Sequence, residues 1–380
     1  MQHTDEARNR ALDGLRGLAA CAVVFYHAIL HLDLPLVERV LLPPLQDACT
    51  ARDALTKVAL QVFHGQTAVF VFFVLSGCVL RLSLERQGNA PAARLCAAFA
   101  ANRVLRLYPP VVACMLLFFA LSRLGIPGYP FFAPWQLLHN ATLYGTSMHG
   151  PSTTVQAEIL AVPFLLAAWL LRRRYGPPAL VLCLAWTALA QDAPWMAARL
   201  PNMHMYLIPF MAGMLVAEPT LRPAFAAAPA GVWWGVFAAL VACRAFHPLA
   251  SAPALIAMVM AAALLVGGLL HGAPGGLSAF LRRPALQALG RVSFSLYLLN
   301  VPVLYLIWAW TDRAPWLAGH ALEAGLATGA LSLALTWPLA WASERWVERP
   351  AIAAGRYAAA LIRSGPKAAP REQAPPLLAR

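Results

Sequence analysis

The chain has 380 residues, 60% of them hydrophobic and 12% charged, with a formal net charge of +13. Soluble domains run at about 45–50% apolar and about 25% charged, so a soluble fold is excluded and a polytopic membrane protein is expected. The positive balance does not indicate a nucleic-acid partner, because the arginines fall in short clusters between apolar runs and form no single basic patch.

The first apolar segment runs from about residue 12 to 31 and carries Asp13, Arg16 and His27. Ionisable groups inside a span usually face a protein interior or an aqueous path. The eleven residues from Arg16 to His27 are close to three helical turns, so both lie on one stripe, roughly 16 Å apart along the axis. Asp13, one turn before Arg16, is placed to pair with it. His27 is the candidate general base, since imidazole is the commonest one; the alternative is a buried histidine donating to a carbonyl. Arg16 suits a phosphate, which guanidinium grips bidentately; the alternative is a topogenic charge. His31 follows His27 at the spacing of a helical zinc pair, but Ala28 and Ile29 stand where HExxH requires a glutamate, so no metal site is expected.

A span needs about 20 apolar residues. Further candidates run approximately over 61–80, 110–124, 154–171, 177–190, 205–217, 231–244, 253–270, 292–310 and 322–341, about ten in all, with the fifth and sixth short. The second ends in Ser76-Gly77-Cys78, small residues that allow close helix contact and a hydroxyl that can bond across helices. Asn102 to Pro110 precedes the third span; it sets Arg103 and Arg106 one turn apart at the expected cytoplasmic interface, with Pro109 or Pro110 starting the next helix. They read as a second phosphate clamp or as a topogenic cluster. Glu158, near the outer end of the fourth span, is a plausible partner for a histidine or a sugar hydroxyl. Ser293, Ser295, Tyr297 and Asn300 give the ninth span a polar face.

Arginine asymmetry fixes the expected orientation. Arg81, Arg86, Arg94, Arg103, Arg106, Arg172 to Arg174, Arg282, Arg283, Arg291 and the tail cations through Lys367 and Arg371 fall on one side. Few fall on the other: Arg39, Arg52, Lys57, Arg199, Arg244 and Arg313. Both termini are therefore expected in the cytoplasm, with 32–60 and 125–153 as long outer loops. The seven cysteines, Cys49 among them, form no CxxC pair, and no cleavable signal peptide is evident. The expected organisation is an all-α membrane domain over 1–350 and a basic, Pro/Ala-rich tail over 351–380, of disordered composition beyond about Arg363.

Taken in order, these segments resemble the membrane-bound acyltransferase-3 family. Leu12 to His27 is similar to its LDGLRGLAA…H element with Arg-x10-His. FFVLSGCVL at 72–80, NRVLRLYPP at 102–110, RVSFSLYLLN at 291–300 and ERWVERP at 344–350 resemble its later motifs. The resemblance implies a multi-pass enzyme of the inner cell membrane that moves an acyl group, most often acetyl, from acyl-CoA to a hydroxyl of a carbohydrate, glycan or lipid-linked acceptor. No cofactor is held permanently; acyl-CoA is a co-substrate. It implies His27 and Glu158 as catalytic residues, and Asp13, Arg16, Ser76, Gly77, Arg103, Arg106, Tyr297 and Asn300 as substrate-binding residues. The chain departs from the pattern at Cys78, at Thr153 where tryptophan is usual, and at Asn300 where histidine is usual, which leaves His27 as the base. A stand-alone member without an appended hydrolase-like domain is expected. The competing readings are a transporter using the same polar track and a non-catalytic relative.

Overall fold

The computed structural model describes residues 9–32, 35–48, 50–86, 91–191, 193–197, 200–245, 252–272 and 274–364. Cys49, Arg199 and the tail beyond 364, with Lys367 and Arg371, lie outside the described residues. Helix is the natural answer to such a composition, because in hydrocarbon each backbone polar group must be satisfied within its own segment. Among the described residues there is no strand.

Sixteen α-helices are described: α1 (Arg10–Leu32), α2 (Ala51–Val62), α3 (Gly65–Glu85), α4 (Ala92–Ser122), α5 (Pro134–Ala141), α6 (Ser152–Leu160), α7 (Val162–Tyr175), α8 (Pro178–Leu189), α9 (Met203–Val216), α10 (Arg222–Ala227), α11 (Val232–Ala242), α12 (Ala252–His271), α13 (Gly276–Leu281), α14 (Pro284–Thr311), α15 (Ala321–Ser343) and α16 (Arg349–Ser364). Seven helical stretches are long and apolar enough to cross a membrane, or eight if the pair around residue 230, bent by 103°, is one span. The expected fifth and sixth spans fall on α8 and α9, which are shorter, so length and composition do not reach a count of ten.

Several expected boundaries move. The third span does not start at Pro110: α4 runs 31 residues straight through Pro109 and Pro110. Arg103 thus sits about 16 Å inside α4, not at the helix entrance. The fourth span is two helices that break at Ala161. Within the outer loop expected over 32–60, residues 51–62 are helical, capped by the Thr50 hydroxyl accepting from the Asp53 N–H. The expected tail begins as α16, whose Gly355 lies against Asn102 of α4.

The centre is α1, held between α14 and α15. Gly17 abuts the backbone at Gly290, while Gly325 and Gly329 of α15 receive Ile29 and Phe25. Small residues at such contacts let backbones approach closely. Beside them α3 packs on α9, where a Cβ on Gly77 would overlap the Phe210 carbonyl and one on Gly213 the Val74 carbonyl. Arg81, fully buried, pairs with Glu85 at 2.8 Å and Glu218 at 3.1 Å, and Arg172 meets Glu218 at 2.9 Å. Arginines read as topogenic therefore also tie α3 and α7 to the segment after α9.

Candidate functional site

Five of the sequence segments singled out above meet at one cavity, enclosing about 810 Å³ of open space. Arg16 reaches it from α1, Ser76 from α3, Arg103 and Arg106 from α4, Thr154 and Glu158 from α6, and Ser293 and Tyr297 from α14. The α3 contribution is a stripe at helical spacing, Val69, Phe72, Phe73, Ser76, Val79 and Leu80, which makes one wall apolar. Among the lining residues are three arginines and one glutamate.

Arg103 organises the floor. It is 6% exposed, and its Nη2 donates to Ser76 Oγ at 2.6 Å and to Glu158 Oε2 at 2.8 Å. Glu158 therefore has an arginine for its partner rather than the histidine or sugar hydroxyl expected of it. The Thr154 hydroxyl donates to the Tyr297 hydroxyl at 3.0 Å, fixing the phenol at the cavity wall. Glu348, in the π-helical turn before α16, is buried and accepts from the Ser295 hydroxyl at 3.1 Å. Its carboxylate lies within electrostatic reach of Arg106 and Arg16. Glu348 was not singled out as a site residue; the signal was the Glu-Arg-Pro at the end of ERWVERP.

Four of the expected site residues stand apart from the lining. Gly77 serves the α3–α9 contact. Asp13 is buried on α1, with its backbone carbonyl against Gly290. Asn300, one turn beyond Tyr297, donates from Nδ2 to the Leu296 and Tyr297 carbonyls at 3.0 and 2.6 Å, while its Oδ1 is buried without a partner. His27 lies three turns along α1 from Arg16, and its Nδ1 is likewise buried without a hydrogen-bond partner. His31 does not join it in a zinc pair: it stacks on Trp308 with centroids 3.7 Å apart and meets Asp312 at 3.0 Å. Among the described residues no group of three or more His, Cys, Asp or Glu side chains is placed to hold a metal ion.

His149 is the histidine that the sequence reading left in a loop. It is fully buried, within electrostatic reach of His27, and sits between Ser152 Oγ at 2.8 Å and the Leu298 carbonyl at 2.9 Å. That carbonyl is available because Pro302, four residues on, has no N–H to give it. Burial pushes the imidazole down to about 4, although the Leu298 hydrogen bond works the other way.

The arrangement can hold an elongated ligand with an anionic end at the arginines and an uncharged portion along the α3 wall. A family model described as an acyltransferase domain, that of the acyltransferase-3 family, matches residues 9–342. No curated protein and no solved structure matches the chain.

Proposed function

The chain belongs to the acyltransferase-3 family and is an acyltransferase, and on that premise we propose that its donor is acyl-CoA, bound from the cytoplasmic side of the inner membrane. The acyl group is expected to be acetyl, and the acceptor a hydroxyl of a carbohydrate, glycan or lipid-linked sugar. The observation that carries this reading is the convergence of Arg16, Arg103 and Arg106 on one cavity with an apolar wall. Guanidinium forks match phosphate oxygens, and the uncharged pantetheine arm suits the α3 side.

In the proposed reaction Arg16 and Arg106 take the donor phosphates, while Arg103, committed to Glu158 and Ser76, shapes the floor. The pantetheine arm is long enough to carry the thioester from Arg16 toward His27, roughly 16 Å along α1. His27 accepts the acceptor's hydroxyl proton as its oxygen attacks the thioester carbonyl. The carbon–sulfur bond then breaks, and the imidazolium returns the proton to the departing thiolate. The products are an ester and free coenzyme A.

The test is release of free thiol from acyl-CoA by the full-length protein in membranes, which an acyltransferase performs in an acceptor-dependent way and a transporter does not. Arg16→Lys keeps the charge but loses the fork, so it raises KM for acyl-CoA more than KM for acceptor. Unchanged constants would return Arg16 to a topogenic role.

A further inference from the structure

A second polar cluster lies beyond Tyr26, and none of its members lines the cavity. Lys57 and Gln61 are one turn apart on the same face of α2, 2% and 5% exposed. Lys57 Nζ donates to the Leu41 and Pro43 carbonyls at 2.7 and 2.8 Å. His64, 2% exposed, caps α3: its Nδ1 accepts from the Thr67 N–H, so the proton is assigned to Nε2. Arg244, just after α11 and 1% exposed, donates to Gln66 Oε1 at 3.2 Å. Lys57 and Arg244 lie within electrostatic reach of each other and of His64. The Tyr26 ring meets His64 edge-on at 5.5 Å, and the next residue along α1 is His27.

Two features of this cluster do not suit a packing role. Two cations are buried close together, although charge is costly to bury without compensation. Furthermore, His64 Nε2 and both polar atoms of Gln61 are buried without a hydrogen-bond partner. Such groups are rare in native interiors and ask for an explanation; a leucine would fill the Gln61 position without that penalty. The chemistry on offer is an ammonium, a guanidinium, an imidazole N–H and an amide that both donates and accepts. Donors in excess with one added acceptor are the complement of an oxyanion that also carries a hydroxyl.

We propose that Lys57, Gln61, His64 and Arg244 form an internal binding site for a hydroxylated oxyanion, the acidic group of a sugar acceptor, beside His27. The inference names the acceptor class and in that respect rests on the acyltransferase reading; the binding itself does not need turnover.

The experiment measures binding by the purified full-length protein, as the rise in melting temperature with glucuronate, glucose 1-phosphate, inorganic phosphate or glucose. Wild type is compared with Gln61→Leu. The acidic sugars are expected to bind and glucose is not; whichever of glucuronate and glucose 1-phosphate binds more tightly identifies carboxylate or phosphate as the recognised group. Gln61→Leu should weaken that binding about tenfold or more, the loss of one hydrogen bond to a charged group, while the unliganded variant melts no lower than wild type. Equal binding by variant and wild type overturns the site, as does inorganic phosphate binding as tightly as either acidic sugar. An unliganded variant that melts lower than wild type gives Gln61 a structural role and also overturns it. Loss of thiol release with binding intact would count against the catalytic reading alone, and loss of binding with thiol release intact against this site alone.

Discussion

Arg103 and Glu158, 55 positions apart in the chain, meet at 2.8 Å with only 7% and 18% of their side chains exposed. The pair joins α4 to α6 across the cavity, and Ser76 extends it to α3 at 2.6 Å. Removing one partner of a buried pair leaves the other charge uncompensated, whereas removing both does not.

Glu158→Gln and Arg103→Met should therefore each destabilise the protein by about 3 kcal/mol, and the double variant by less than the sum, with a coupling of about 1–3 kcal/mol. Melting temperatures of the four proteins of the cycle decide this. Strict additivity would show that the two groups do not act as a pair.

His149 supplies a pH dependence. Its ordinary value in an unfolded chain is about 6.5, and burial lowers it to about 4 in the folded protein. Above pH 6.5 the group is neutral in both states and adds no pH dependence. As pH falls from about 6.5 to about 4 the unfolded state takes up the proton first, so stability is lost through that window, by about 3 kcal/mol in all, and no further below it. His149→Gln should be less stable at pH 7, because the hydrogen bonds to Leu298 and Ser152 are disturbed, yet lose less on acidification. Parallel melting curves of variant and wild type from pH 7 to 4 would contradict this.

The proposed orientation is tested at two exposed serines. Ser147→Cys, in the segment before α6, should react with an impermeant thiol reagent on intact cells, and Ser364→Cys, at the end of α16, should not. The reverse pattern would invert the side on which the donor is supplied.

Much of the site was legible because spacing survives folding. Arg103 and Arg106, or Ser293 and Tyr297, share a face wherever their helix lies, so ionisable and hydroxyl groups at helical period in apolar runs point inward by composition alone. What spacing does not carry is which faces meet. Glu158 was matched to a histidine or a sugar because nothing local in 152–160 reveals that α4 continues past two prolines and brings Arg103 level with it. Pro109 and Pro110 read as a helix start, yet within a packed membrane domain neighbouring groups can take up the carbonyls that proline frees. Gly77 read as part of a substrate segment, while its contact with Phe210 belongs to helix packing. His149 carried no signal, since a loop histidine becomes a buried one only through Pro302 on a helix about 150 residues later.

The central claim is that His27 is the base of an acyl transfer from coenzyme A, and it is tested most directly by free-thiol release from acetyl-CoA with acceptor present, comparing wild type with His27→Ala at equal membrane levels. The expected result is a kcat lower by at least about a hundredfold, the loss typical of removing a general base, with KM for the donor unchanged because the arginine cavity is intact. Wild-type turnover by His27→Ala would contradict the account.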